Sequence, residues 1–235
     1  MAEEEREYII CTSKDSSICV ACEIKGDLNC RYNEELVKCF RNRHLPFRAL
    51  QFIVIAFAVL FITSLFWTFL LFAVVITLNF VYIETWYLCR HCPFYEKEGS
   101  SLECVTLKGL PKFWPFDPAP MKKSEKRSMT LVGGFIDIFP ILVSGYTSWV
   151  LFSFGADSFS TLLMVSLTLI SLVAAGYIEK FLRENFCERC VNLSCMMNKV
   201  PDELKEEYLR KNPGWLRVWE DSGYVSGNKL EREKS

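Results

Sequence analysis

The sequence predicts an all-α integral membrane protein: a four-transmembrane-helix bundle with a small cysteine-rich, metal-stapled cytoplasmic domain built from the N-terminus, the central loop and the C-terminus. Three observations predict it. The chain is 51% hydrophobic with 19 Phe and 6 Trp, and its mean hydropathy is +0.16. Soluble domains seldom reach that balance. Its charges crowd into the two ends and one central stretch, leaving long uncharged runs between them. Eleven cysteines, most of them in groups, lie in the charged parts. A net charge of −1 and a pI near 6.2 supply no basic field, so nucleic acid is excluded as a partner. The lipid bilayer is the first partner instead.

Residues 1–46 are polar and read as a cysteine-containing N-terminal segment with no signal peptide. The run from Ala49 to Ile83 then carries no charge. As one helix its roughly 35 residues would be about 50 Å long, against a hydrocarbon core of about 30 Å. A helical hairpin over 47–86 fits better than one tilted rod, with spans near 49–64 and 67–86. The turn falls near Thr63, Ser64 and Trp67, the polar and interfacial residues of the run. Residues 87–128 form a loop rich in cysteine, aromatics and proline, including Tyr95, Phe113, Trp114, Pro115 and Pro118. This composition suggests a compact loop domain against the headgroups, with a small-molecule or quinone pocket as the alternative. A second hairpin over 129–180 has spans near 129–153 and 159–180, turning at Phe154-Gly155-Ala156-Asp157. Residues 181–225 are a second cysteine-containing segment. In it Asp202 is placed to cap a helix over 203–211, and Pro213 to stop it. Residues 226–235 are expected to be disordered.

Orientation follows from Lys and Arg. Lys38, Arg41, Arg43 and Arg48 precede the first span. Lys122, Lys123, Lys126 and Arg127 close the loop. Lys180, Arg183, Arg189 and Lys199 follow the last span, and the two hairpin turns carry none. The bias puts both termini and the loop in the cytoplasm of a multi-pass protein of the cell (cytoplasmic) membrane.

Nine cysteines form three groups on one plan, a CxxC pair and then a third Cys: Cys19, Cys22 and Cys30; Cys89, Cys92 and Cys104; Cys187, Cys190 and Cys195. An even number of crossings gathers all three on one membrane face, the first being tethered about 20 residues ahead of its span. A CxxC turn lets two thiolates converge on one ion. Cytoplasmic thiols are kept reduced, so metal is favoured over disulfides. Each group is one ligand short of a closed zinc site, and Cys11, Cys39 or His91 are the extra candidates. Zinc and iron–sulfur clusters both remain open, as does a site without metal, although neither ferredoxin spacing is present.

Two further features bear on function. Asp137 lies inside the third span, where an acid is costly. With Glu84, Asn79, Tyr177 and Glu179 it could form a polar cluster that carries protons or meets a quinone headgroup. His44 sits in the basic run Arg41-Asn42-Arg43-His44 and reads as part of a membrane-surface charge cluster. The layout resembles protein S-acyltransferases in its four spans and its cysteine-rich loop between spans two and three. However, the loop reads Cys89-Arg90-His91-Cys92-Pro93 and lacks that family's Asp-His-His-Cys signature, so the resemblance assigns no activity. Two classes remain. One is a membrane redox component passing electrons between a cytoplasmic redox protein and a quinone, with Asp137 and Glu84 as proton-handling catalytic candidates. The other is a zinc-stapled structural or regulatory scaffold without turnover. Neither the oligomeric state nor enzymatic activity is legible at this level.

Overall fold

Residue pattern and capping set the first long helix. Asn33 is extended, and its side-chain oxygen accepts from the backbone N–H groups of Glu35 and Leu36 at 2.9 and 3.3 Å. Glu34 and Glu35 then place acid at the positive end of the helix dipole. Helix α1 therefore runs from Glu34 to Phe61, in a computed structural model that describes residues 10–14, 16–104, 106 and 108–224. The helix thus starts well before residue 49, where the span itself was expected to begin. The basic stretch 38–48 is the first three turns of the same helix, because its apolar face packs. Val37 and Phe47 are buried, and Pro46 is accommodated inside the helix. The first cysteine group is consequently not on a long tether, since Cys30 stands three residues before the cap.

A 3-10 turn at Thr63–Leu65 reverses the chain where the sequence places it. Helix α2 (Phe66–Leu78) follows, then a π turn over Asn79–Ile83, and helix α3 (Glu84–Tyr87) continues the rod. A second hairpin joins α5 (Lys123–Ser153) to α6 (Ser158–Asn185). Its turn needs Gly155 at φ 66°, a left-handed value that a side chain would strain. Asp157 caps α6, accepting from the Ser160 N–H at 2.9 Å. The last helix runs beyond the expected end near 180, because Glu179–Arg183 and Lys180–Glu184 pairs support one more charged turn.

Four helices are thus long and apolar enough to cross a membrane: Glu34–Phe61, Thr63–His91, Lys123–Ser153 and Ser158–Arg189. Helices α1, α5 and α6 pack mutually, and α2 lies against α1 and α5 on the flank. Inside the bundle Ile55, Phe72, Ile76 and Ile136 form one buried cluster and Ala58, Val143, Leu151 and Met164 another. Outside it Trp67, Trp149, Phe152, Phe159 and Val173 are exposed, which is the surface lipid tails would cover.

The segments at one end of the bundle form their own core. Between α3 and α5 lie a short helix α4 (Pro93–Glu96) and an antiparallel hairpin of β1 (Ser101–Glu103) and β2 (Lys108–Pro111). After α6 come α7 (Asp202–Arg210) and α8 (Pro213–Asp221). Asp202 is the first helical residue and pairs with Lys205 at 2.7 Å, while Pro201 holds the cap position. Pro213 ends α7 as expected, then opens α8, since its fixed φ suits the first turn. Ile10, Ile24, Leu28, Phe47, Phe181, Tyr208, Trp215 and Trp219 share one buried cluster, so N-terminal segment, bundle end and C-terminal helices pack together. Trp215 also donates to Pro118 O at 2.6 Å, joining α8 to the central loop. The tail expected to be disordered lies outside the described residues.

Candidate metal centre

The second and third cysteine groups are built alike. Each helix that approaches them tightens into a 3-10 turn, Cys89–His91 after α3 and Cys187–Arg189 after α6. Each turn ends on an extended cysteine, Cys92 at φ −88°, ψ 135° and Cys190 at φ −82°, ψ 124°. The CxxC spacing thus becomes the same knuckle twice. Asn192 Nδ2 donates to Leu88 O at 3.1 Å and ties the two knuckles together. Asn198 Nδ2 donates to Cys190 O at 2.8 Å and to Asn192 O at 3.0 Å, and the Lys199 N–H reaches Cys187 O at 3.0 Å, closing the loop that carries Cys195. The Met197 N–H lies 3.4 Å from the Cys195 sulfur.

Thiols of the two groups consequently lie within electrostatic range of one another. Cys89 is buried and lies within electrostatic range of Cys104, Cys92 and Cys195. Burial and the neighbouring thiols Cys190, Cys104 and Cys195 hold Cys92 well above the ordinary thiol value. Cys190 is raised likewise by burial, then by Cys195, Cys187 and Cys104. Cys195 is pushed up to about 11 by burial, Cys187 and the Glu84 carboxylate. Glu84, at the start of α3, lies within electrostatic range of Cys89 and Cys195.

The first group has a different construction. Its 3-10 turn, Ser16–Cys19, ends on the first cysteine of the CxxC pair, and the Cys22 and Lys25 N–H groups fold back on Cys19 O and Cys22 O. Cys11 joins it: its N–H donates to Asn212 Oδ1 at 2.6 Å, which seats it beside Tyr208 and Cys30. Burial, then Cys11, Cys22 and Cys19, push Cys30 up to about 12. Cys11, Cys19, Cys22 and Cys30 all line one open cleft of about 1150 Å³. Arg31 lies in it too, with Nε and Nη2 each donating to the Cys19 sulfur at 3.2 Å. Arg31 also donates to Cys11 O at 3.1 Å and Thr12 O at 3.2 Å.

The remaining candidates lie apart. Cys39 is on α1 and accepts from Arg43 Nη1 at 2.9 Å. His91 is buried, its Nδ1 2.7 Å from Ala119 O and its Nε2 receiving Arg90 Nε at 3.3 Å; Arg90 in turn pairs with Glu125 at 2.9 Å. A carbonyl can only accept, so Nδ1 carries the proton and both ring nitrogens are engaged. Among the described residues no disulfide joins two cysteines. Nor, among them, do three His, Cys, Asp or Glu side chains form a group that could hold a metal ion in the positions they occupy.

Asp137 pairs with Arg48 across α1 and α5, Nη1 to Oδ1 at 2.7 Å. Arg48 also donates to Gln51 Oε1 at 2.8 Å and to His44 Nε2 at 3.1 Å. His44 stacks on Phe40 at 4.8 Å, so it belongs to this interhelical network, whereas a membrane-surface cluster was expected. Tyr177 and Glu179 do not join the network; they bond Arg43 and Arg183 instead. Sequence reasoning counted Arg48 only as a topology signal. Its signal as a partner is its place at the edge of the apolar run, three residues before buried Gln51. Arg31 was missed altogether, because nothing in its neighbours marks it as a thiol partner. Two loop aromatics pack on the end of the second long helix: Trp114 sits on Trp86 at 4.5 Å and Phe113 on Tyr82 at 5.7 Å.

No protein-family profile, no curated protein and no solved structure matches the chain.

Proposed function

We propose that this is an integral membrane protein whose cysteine-rich face, in the cytoplasm, binds metal ions, and that the metal is zinc acting as a staple in a structural or regulatory scaffold. The observation that carries this reading is that Asn192 ties the Cys89–Cys92 knuckle to the Cys187–Cys190 knuckle, from two segments about a hundred residues apart in the chain. Burial, and then the neighbouring thiols, oppose ionisation of Cys92, Cys190 and Cys195, and a divalent cation would offset that cost and let them bind as thiolates. The sulfurs would turn inward on the ion, and metal affinity would appear as folding energy. Asp137 favours the scaffold over the redox alternative. Its carboxylate is held by Arg48, and an interhelical ion pair serves packing rather than proton traffic.

Metal analysis and an absorbance spectrum of anaerobically purified protein test the reading. Zinc without visible colour is expected. Iron with acid-labile sulfide would replace the scaffold by the electron-transfer alternative, with a cytoplasmic redox protein and a quinone as partners. Absence of bound metal would overturn both. The cytoplasmic orientation has its own test. A membrane-impermeant thiol reagent applied to intact, denaturant-free cells should leave Cys39 unmodified until the cells are opened, and labelling from outside would reverse the assignment.

A further inference from the structure

Resting on that reading, we infer that the metal-binding face holds two separate centres, and that the first is a tetrathiolate site made by Cys11, Cys19, Cys22 and Cys30 alone. Four thiols are the ligand number of a closed zinc site. The CxxC plan of the first group supplies three of them, and the fold adds the fourth by seating Cys11 through Asn212 and Tyr208. Their spacing is symmetrical about the CxxC pair, with seven residues on either side of it. All four line the same cleft, and no cysteine of the other groups lines it. The second and third groups meet instead at the two knuckles that Asn192 ties together through its bond to Leu88 O. The eleven cysteines thereby divide into four, six and the isolated Cys39.

Charge supports the assignment. A zinc ion bound by four thiolates carries a net −2, which is stable at a protein surface when cations and N–H donors face the sulfurs. Arg31 supplies two such donors to Cys19 while its other contacts hold the chain at Cys11 and Thr12. Binding releases the thiol protons to solvent and leaves the metal's oxidation state unchanged.

The test uses the full-length protein in detergent, with zinc and then Co²⁺ as probes. Cys11→Ser, Cys19→Ser and Cys30→Ser should each lower bound metal by the same single equivalent, and the triple variant by no more than one. The cobalt form should lose one share of its tetrahedral thiolate absorption. Cys39→Ser should keep the full content. If wild type binds metal and Cys11→Ser retains all of it, the four-thiol site is overturned while the general reading stands. If wild type binds none, both fail. Should a variant not fold, alkylation mapping of wild type replaces it: during chelation, Cys11, Cys19, Cys22 and Cys30 should become reactive together, at a chelator concentration distinct from that for Cys92 and Cys190. Release of all ten thiols in one step would refute separate centres.

Discussion

The four-thiol cleft and the six-thiol nest use one sequence plan in different mechanical settings. The nest is suspended from the ends of two long helices, so its CxxC turns inherit the position of the bundle, and its Cys92 and Cys190 are strongly shifted by burial. In the cleft the CxxC turn does not follow a long helix. Its backbone between Ile10 and Asn33 is held by bonds to distant segments: the Ile10 N–H to Glu96, Cys11 to Asn212, Thr12 Oγ1 to Tyr208 Oη at 2.5 Å, and the Asn29 N–H to Arg189 O at 2.7 Å. A knuckle is thus rigid when it caps a helix and conditional when it depends on docking. If the proposed metal binds, it should contribute to folding in both places, with the backbone of the nest held by the bundle and that of the cleft by docking.

The largest way to sharpen this contrast is to remove a ligand from each region. Cys89→Ser and Cys190→Ser should lower metal content and thermal stability together, since structural zinc contributes several kcal/mol at least. Cys19→Ser should lower metal content with a smaller loss of global stability. Equal melting temperatures for the two sets would break the comparison.

The docking itself comes next. Trp215→Ala removes a fully buried indole that contacts Tyr208 and Trp219 and donates to Pro118 O. A loss of about 3–5 kcal/mol is expected from an aromatic deletion of this kind. Limited proteolysis should then cut the N-terminal segment before the nest, and cleavage in the reverse order would argue against the docking role.

Within the bundle, Arg48→Ala leaves Asp137 without its cation and Gln51 and His44 without a shared donor. Roughly 2 kcal/mol is expected, in keeping with a charge-assisted hydrogen bond, read as a fall in detergent melting temperature. Asp137→Asn, which keeps an acceptor for Arg48, should cost less. Metal content should not change in either variant.

The smallest effect is local to the nest. Asn198→Ala removes bonds to Cys190 O and Asn192 O and should cost about 1 kcal/mol. A slower metal release than wild type would contradict a bracing role for Asn198.

Much of the bundle was legible because lipid imposes a one-dimensional rule. Uncharged runs of sufficient length must be helices, and the turns at Thr63–Leu65 and Gly155 follow from polar residues and a left-handed glycine. The start of α1 was not legible, since Lys38, Arg41 and Arg43 look like a headgroup flank while Val37 is buried and Phe47 joins the cluster that includes the C-terminal helices. Spacing likewise exposed three cysteine trios but not their partition. Whether Cys11 belongs with Cys30, or Cys92 with Cys190, depends on contacts made across the whole chain.

By itself, then, the sequence determined the number of apolar helices, the placement of their turns and the concentration of thiols in the charged segments, because hydropathy and CxxC spacing are local properties. Only the tertiary structure decided which thiols meet, which cation answers Asp137 and where His91 spends its nitrogens. Those pairings come from packing between segments distant in sequence, and nothing in a local pattern encodes which distant surface will be its partner.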